Sequence, residues 1–170
     1  MIPTVSDASA LTLVPVDRVP RPGLLALRVA PEQQGFVGRV VDLLADAQSR
    51  PSADPLAFVL GDQVIGLCCI EREPRTIAPI AFDAPAVGLR GFFIDARWQR
   101  RGLGRRALSL LLDTLKQRHP AVRWLVLSVD EGNAAALRLY RQAGFVEGAQ
   151  RYHGGSAGRQ QFLLLRRLDP

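Results

Sequence analysis

An arginine- and glycine-rich segment follows a short apolar run at residues 92–104, which read FFIDARWQRRGLG. Where a strand leads through such a segment into a helix, the first backbone N–H groups of the helix lack intrahelical acceptors, and the helix dipole adds partial positive charge. Gly102 and Gly104 would let an anion approach this backbone closely. The flanking arginines are Arg100, Arg101, Arg105 and Arg106. The segment therefore predicts a site for a ligand with several phosphate groups.

Two other interpretations of the glycine pair remain open at this point. Two glycines can form a tight turn that binds nothing. Residues 102–107 also read GLGRRA and match the GxGxxA pattern of dinucleotide-binding folds. In those folds the first glycine follows a strand directly, whereas residues 96–101 separate Gly102 from the predicted strand. The dinucleotide interpretation is therefore disfavoured.

A second segment, residues 133–145, reads NAAALRLYRQAGF and lies one predicted helix and one predicted strand after the first. The pattern Gln99-x-x-Gly102-x-Gly104 and the downstream pattern N-x-x-A-x-x-x-Y-x-x-x-G-F together resemble the ordered signature pair of the GCN5-related N-acetyltransferase superfamily. Within it, residues 92–104, the LSV run before Asn133 and residues 29–37, which read VAPEQQGFV, look most like bacterial polyamine acetyltransferases of the spermine and spermidine kind. The resemblance covers residues 87–152 at the level of motifs and the rest of the chain by element order.

The resemblance implies a single N-acetyltransferase domain over residues 1–170, with acetyl-CoA as acetyl donor and a small-molecule primary amine, for example a polyamine, as acceptor. Backbone groups at Phe92, Phe93 and Ile94 would pair with the pantetheine arm of the cofactor. Asn133 would lie beside that arm. The loop and helix start would hold the diphosphate, through Gln99, Arg100, Arg101, Gly102, Leu103, Gly104 and Arg105.

Two alternative functions stay open beside this one. The chain could be a module that binds acyl-CoA without catalysis, or an acetyltransferase for a protein or peptide amine. The resemblance also implies that the chain could form a homodimer.

Tyr140 occupies the position of the motif tyrosine, and the resemblance implies that it acts as a general acid. Attack of an amine on the thioester expels a thiolate, which a phenol with a pKa of about 10 can protonate at neutral pH. The alternative is a buried tyrosine whose hydroxyl only meets a backbone partner. The base is less defined, because Gly88 stands where some members of the superfamily carry a glutamate. Asp95 is the first candidate base, followed by Asp83, Glu71 and Glu73.

The elements that must position these residues follow from hydrophobic periodicity and turn signals. Apolar runs predict strands at residues 11–16, 56–60, 64–71, 89–94, 122–129, 145–152 and 159–167. Helical spacing predicts helices at residues 34–47 and 102–119, and Asn133 is expected to cap a short helix that ends before Gly144. This order predicts a mixed α/β fold. The resemblance adds a mostly antiparallel sheet with a splayed central strand pair and flanking helices.

Length and composition exclude several classes of protein. The 170 residues are 48% hydrophobic and 22% charged, as in an ordinary globular domain, and no apolar run reaches the ~18 residues of a membrane span. The first residues do not form a secretory signal, so we expect a cytoplasmic protein without a membrane partner. The net charge of +6 attracts anions in general, but the arginines are scattered and aromatic residues make up only 6%. No nucleic-acid partner is therefore expected.

The remaining reactive side chains predict no further chemistry. Cys68 and Cys69 are neighbours in a predicted strand and would point to opposite faces, so we expect buried thiols rather than a disulfide. His119 and His153 belong to no ligand-spaced cluster, and no metal site is predicted. A polycationic acceptor would need an acidic entrance, for which Glu32, Asp42 and Asp46 are the candidates.

Overall fold

A mixed seven-stranded sheet lies at the centre of the computed structural model, which describes residues 10–152 and 161–168. The strands are β1 (Leu11–Pro15), β2 (Ala53–Leu60), β3 (Gln63–Glu71), β4 (Ala86–Ile94), β5 (Trp124–Asp130), β6 (Val146–Tyr152) and β7 (Gln161–Arg167). Their order across the sheet is β1-β2-β3-β4-β5-β7-β6. Only β4 and β5 are parallel neighbours in this sheet; the other pairs are antiparallel. The predicted mixed α/β fold is confirmed.

Helices cover both faces of the sheet. They are α1 (Arg21–Leu25), α2 (Gln34–Val37), α3 (Val40–Ser49), α4 (Leu103–Arg118) and α5 (Ala134–Gln142). Helix α4 lies against β1 and β4, and its apolar stripe, which includes Leu108, Leu111 and Leu115, is buried in the largest core cluster. Helices α1 and α3 pack on the opposite face around Leu67 and Phe93. The predicted long helix at residues 102–119 is therefore present, shortened by one residue at each end.

The two central strands separate soon after they meet. Strands β4 and β5 pair only from Ala86 to Gly88 on β4 and from Trp124 to Val126 on β5. Gly91 then adopts φ +58°, and the register between β3 and β4 shifts there. Such a bulge bends a strand and increases its twist. Beyond Gly88, the edge of β4 that faces β5 therefore has no strand partner, which confirms the splayed central pair.

The predicted helix at residues 34–47 is wrong as one continuous element. Val40, Leu44 and Ala47 are buried, but Gly38 adopts φ +83° and ψ −169°, which is incompatible with a helix. Helix α2 ends before this glycine, and α3 begins after Arg39. Periodicity alone could not detect the interruption, because apolar residues recur at helical spacing on both sides of Gly38.

Strand β2 begins at Ala53, three residues earlier than predicted, and therefore includes Pro55. Pro55 pairs with Cys69 on β3, whereas β1 reaches only as far as Leu56 on the other side. The missing N–H group of Pro55 therefore interrupts no ladder with β1, as expected for proline at an unpaired strand edge. The other strands differ from prediction by a few residues at their ends. The predicted turn of the last hairpin, at residues 154–156, lies outside the described residues.

The cysteines, the potential metal ligands and the hydropathy of the helices complete the description of residues 10–152 and 161–168. Cys68 and Cys69 are free and buried, as predicted. Within residues 10–152 and 161–168, no group of three His, Cys, Asp or Glu side chains is placed to hold a metal ion. No helix in these ranges is both long and apolar enough to cross a membrane.

Candidate active site

The loop between β4 and α4 presents a run of backbone donors. Arg100 has φ +60° and Gly102 has φ +73°, so the chain passes twice through the left-handed region just before α4. Among the described residues, no acceptor receives the backbone N–H groups of residues 99–105. A Cβ atom added at Gly104 would contact only Leu139, at 4.0 Å, so open space lies beside these donors. This geometry fits the diphosphate-holding role predicted for the loop.

The loop opens onto a cavity of about 690 Å³, called the main cavity below. It lies between β4, the first turns of α5 and the segment that contains α2. The predicted site residues that line it are Phe92, Phe93, Ile94, Gln99, Arg100, Gly104, Asn133 and Tyr140. The fold therefore brings the two sequence motifs, which α4 and β5 separate along the chain, to one cavity.

The other predicted cofactor-binding side chains do not line the main cavity. Gly102 is the N-cap of α4, and Leu103 is buried in the core. The guanidinium of Arg101 lies 5.2 Å from the centre of the Trp98 ring. Arg105 lines a separate groove between α4 and α5. These residues can contribute their backbone N–H groups to a ligand at the loop, whereas their side chains lie outside the main cavity.

Gln99 fixes the loop in place. Its amide nitrogen donates to the backbone oxygen of Ile94 and to the side-chain oxygen of Gln33, each at 2.8 Å. The end of β4, the loop and the segment before α2 are therefore joined through one side chain. This network accounts for a glutamine at the first position of the motif independently of any contact with a ligand.

Asp95 lies outside the main cavity. Its carboxylate has no exposed area and accepts four hydrogen bonds of 2.7–2.9 Å, from the backbone N–H of Arg28 and from the backbone, Nε and Nη2 of Arg97. Burial disfavours its charged form, but these donors outweigh burial and hold its pKa below the ordinary value. The structure therefore does not support Asp95 as the first candidate base, because the carboxylate is enclosed and already fully engaged.

The other three candidate bases are also absent from the residues that line the main cavity. Glu71 is buried, pairs with Arg50 and accepts the backbone N–H of Glu73 at 3.1 Å. Asp83 accepts the indole N–H of Trp124 at 2.6 Å. The structure therefore assigns structural contacts to Glu71 and Asp83.

Asn133 has the capping role that the sequence predicted. Its side-chain oxygen accepts the backbone N–H of Ala136 at 3.2 Å at the start of α5. Gly144 ends the same helix region with φ +84°, as a left-handed C-terminal residue. Both ends of the helix that carries Tyr140 are therefore fixed by residues of the second motif.

Tyr140 lies in an aromatic cluster. It is 7% exposed, and its ring meets those of Phe92 and Phe145 edge to face, with centroids 6.2 and 5.4 Å away. Burial raises the pKa of the phenol, and the neighbouring Cys68 adds to the increase. The hydroxyl is therefore protonated at neutral pH and can donate a proton or a hydrogen bond.

A second cavity of about 320 Å³, called the acceptor cavity below, adjoins the main cavity. The residues common to both linings are Phe36, Val37, Phe92, Asn133, Ala136 and Tyr140. The acceptor cavity continues from Tyr140 along the opening between β4 and β5, where Arg90, Ser128 and Asp130 line it. Tyr140 therefore stands where the two cavities meet.

Sequence reasoning missed Arg90, Phe36 and Ser128 as cavity residues. Arg90 lies within a predicted strand, and Phe36 belongs to the helix predicted as continuous. A glycine inside a strand pattern often marks a bulge, and Gly91 was the available signal that this strand bends away from its neighbour.

The fold places two adjoining cavities and a row of backbone donors beside β4, which gives room for two ligands side by side. Residues 22–145, more than half of the chain, match the acetyltransferase (GNAT) family. The chain belongs to this family. It is an acetyl-CoA-dependent N-acetyltransferase.

Curated relatives show the same activity with different acceptors. The chain is 29% identical over 129 residues to the spermine/spermidine N(1)-acetyltransferase of Bacillus subtilis, covering 74% of this chain and 80% of the relative. It is 39% identical over 74 residues to the [ribosomal protein bS18]-alanine N-acetyltransferase of Escherichia coli, covering 42% of this chain and 49% of that relative.

A solved structure confirms the fold at low sequence identity. The spermidine N-acetyltransferase of Vibrio cholerae, in complex with CoA and spermine, superposes with a TM-score of 0.68 at 16% identity. The match covers 93% of this chain and 95% of that chain. This likeness supports the architecture alone.

Proposed function

We propose that the protein transfers the acetyl group of acetyl-CoA directly to the primary amine of a small molecule, with both substrates bound at once. The observation that carries this proposal is the position of Tyr140 at the junction of the main and acceptor cavities. Two cavities that meet at one proton donor suit a reaction between two bound substrates.

The chain would bind the donor through its backbone. The N–H groups of residues 99–105 and the side chain of Arg100 would hold the diphosphate at the start of α4. The unpaired edge of β4, from Phe92 to Ile94, would offer its N–H and C=O groups to the amides of the pantetheine arm. The donor supplies a thioester whose carbonyl carbon is open to attack.

Tyr140 would act as the general acid. The neutral acceptor amine forms a C–N bond with the acetyl carbon, the C–S bond breaks, and the leaving sulfur takes the proton of the Tyr140 hydroxyl. The protonated product nitrogen loses its extra proton to water, and water restores the phenol proton. Burial keeps this phenol protonated, so the residue is in the correct form for the step.

A route through an acetylated cysteine is unfavourable here. Cys68 is buried, and burial raises the pKa of its thiol, which suppresses the reactive thiolate. Cys69 is also buried, and its pKa is raised chiefly by burial. Neither residue lines the main cavity. This supports direct transfer.

The acceptor class is the open part of the proposal. A polyamine is supported by the spermine/spermidine relative, and an amine at a protein N-terminus is supported by the bS18-alanine relative. Within the proposal, the acceptor cavity favours a small molecule, because its volume is about 320 Å³.

Release of free thiol from acetyl-CoA in the presence of an amine panel tests the proposal. The panel contains spermidine, monoamines, amino acids and a peptide that carries the bS18 N-terminus. We expect turnover with small amines above the rate of acetyl-CoA hydrolysis. Tight acetyl-CoA binding without turnover of any amine would favour the non-catalytic module, and turnover of the peptide alone would favour the protein acetyltransferase.

A further inference from the structure

One cation lines the acceptor cavity among the described residues, and it is Arg90 on β4. Its partner across the antiparallel pair is Cys69, so the two side chains share the sheet face that α3 covers. Ser128 and Asp130 alternate with core residues along β5 and line the same cavity. Arg90 therefore projects into the space where the acceptor would lie.

The guanidinium of Arg90 is held by a loop rather than by a carboxylate. Its Nη2 donates to the backbone oxygen of Thr76 at 2.7 Å and to the hydroxyl of the same residue at 2.9 Å. Its Nε is buried and has no hydrogen-bond partner among the described residues. No described carboxylate lies within 4.0 Å of it. The positive charge of Arg90 is thus oriented but not neutralised by an ion pair.

Two acidic side chains line the same cavity, and both have hydrogen-bond partners. Asp46 lines the same cavity, and its Oδ2 accepts from the Nη2 and Nε of Arg50, at 2.8 and 3.2 Å. Arg50 also pairs with the buried Glu71. Asp130 directs Oδ1 to the backbone N–H of Gly132 at 2.8 Å. In the acceptor cavity, the carboxylates of Asp46 and Asp130 therefore accept hydrogen bonds from other groups, whereas Arg90 forms no ion pair with a described carboxylate.

A cationic group placed beside the Arg90 guanidinium would meet repulsion, because like charges interact over several ångströms. A carboxylate would instead gain charge-assisted hydrogen bonds from the donors of the guanidinium that Thr76 does not use. We propose that Arg90 determines acceptor specificity by binding a carboxylate, and that the preferred acceptor is an amine which carries its own carboxylate, as a free amino acid does. This inference rests on the proposed small-molecule acetyl transfer and narrows its substrate class.

Matched substrate pairs test the inference directly. Each pair differs only by the carboxylate: lysine and cadaverine, tyrosine and tyramine, phenylalanine and phenethylamine. For at least one pair, we expect the native protein to show a kcat/KM about 10- to 100-fold higher with the carboxylate-bearing member, the range that charge-assisted hydrogen bonds provide. Equal values in all pairs, or a preference for spermidine, would overturn the inference and leave acetyl transfer intact.

Variants of Arg90 test the residue itself. Arg90→Gln keeps a donor for Thr76 and removes the charge, so it should abolish the preference within each pair by lowering kcat/KM for the carboxylate-bearing member. Arg90→Lys should restore part of the preference, because it keeps the charge without the planar donor edge. Arg118→Gln is the matched control, since Arg118 is exposed at the end of α4 and lines neither cavity. Equal loss for both members of a pair would show a purely structural role.

Calorimetry separates failure of this inference from failure of the proposed function. The native protein saturated with CoA is titrated with each member of a pair, so no turnover is needed. Preferential binding of the amino acid supports the role of Arg90 even where no acetyl transfer occurs, in which case only the proposed function fails. Equal binding of both members, or binding of neither, overturns the role of Arg90.

Discussion

Tyr140 lies between the two cavities, with a buried phenol whose pKa is raised. Tyr140→Phe removes the hydroxyl and keeps the ring contacts with Phe92 and Phe145. Turnover should fall by about 10²–10⁴-fold, the usual contribution of a positioned general acid. Steady-state kinetics with the best acceptor from the panel measures this change.

Cofactor binding provides the control for this variant. The dissociation constant of acetyl-CoA should change little, because the aromatic ring remains. Unchanged turnover in Tyr140→Phe would remove the residue from the acid role and leave it as a packing residue.

We expect Asp95 to stabilise the fold rather than to act on a ligand in the main cavity, which it does not line. Asp95→Asn removes a charged acceptor from the donors of Arg97 and Arg28, and should cost about 1–3 kcal/mol of unfolding free energy at pH 7. Because folding lowers the pKa of Asp95, the native protein holds this advantage above the unfolded pKa of about 3.9. The advantage disappears as the pH falls through the still lower folded-state pKa.

Urea unfolding of both proteins at pH 7 and near pH 3 measures this effect. The difference in unfolding free energy should shrink at the lower pH. Asp113→Asn on the exposed face of α4 is the matched control and should show no such trend. A difference for Asp95→Asn that stays constant with pH would contradict the ion-pair account.

At the level of single residues, the sequence predicted positions defined by local spacing. Asn133 and Tyr140 fall seven residues apart on one helix, so their shared cavity follows from helical geometry. Arg90 could not be found in this way, because its place in the acceptor cavity depends on the bulge at Gly91 and on helices that cover the sheet from elsewhere in the chain. The enclosure of Asp95 cannot be predicted from local spacing, because its partner Arg28 lies far away in sequence.

The start of α4 allows stability and binding to be separated. Gly104 lies in the first helical turn with open space at its Cβ position. Gly104→Ala should raise the unfolding free energy by about 0.5–1 kcal/mol, because alanine is a better helix former. Gly104→Asp should stabilise the helix start by about 0.3–1 kcal/mol through the dipole, yet weaken CoA binding about tenfold or more by repelling the diphosphate.

Urea unfolding measures the expected gain in stability, and calorimetry on the same samples measures the expected loss of CoA affinity. The alanine variant controls for the volume added in front of the loop, and the aspartate variant adds the charge. Equal CoA affinity in native protein and Gly104→Asp would contradict the placement of the diphosphate at this helix.

At the level of elements, the sequence predicts the helices and strands with strong hydrophobic periodicity. It does not predict a break inside a segment whose apolar spacing continues. Helix α4 was predicted because its apolar residues recur over several turns. The break at Gly38 gives no signal in the periodicity, because apolar residues recur at helical spacing in the sequence on both sides of it. The interruption matters, since Phe36 before it and Asp46 after it line the acceptor cavity.

The whole molecule is joined at its centre by a short pairing of β4 with β5. CoA bound along the open edge of β4 and beside α5 would contact both parts of the sheet. At a concentration 100-fold above its dissociation constant, CoA should raise the unfolding free energy by about 2.7 kcal/mol and the melting temperature by about 5–10 °C.

Hydrogen exchange locates the same effect within the chain. Backbone amides of residues 99–105 should exchange more slowly when CoA is present, because the diphosphate would accept hydrogen bonds from N–H groups that have no acceptor among the described residues. Protection confined to other elements would contradict the proposed binding mode. The expected homodimer and cytoplasmic location stay predictions at this scale.

The order of strands along the chain has one further consequence. Strands β1 to β4 and helix α4 lie before residue 119, whereas β5 to β7 and α5 all follow residue 123. A gene divided between these points would yield two fragments, each of which carries one side of the cleft. Their reassembly would depend on the shared core and on the coenzyme, so the divided protein would serve as a reporter of intracellular CoA.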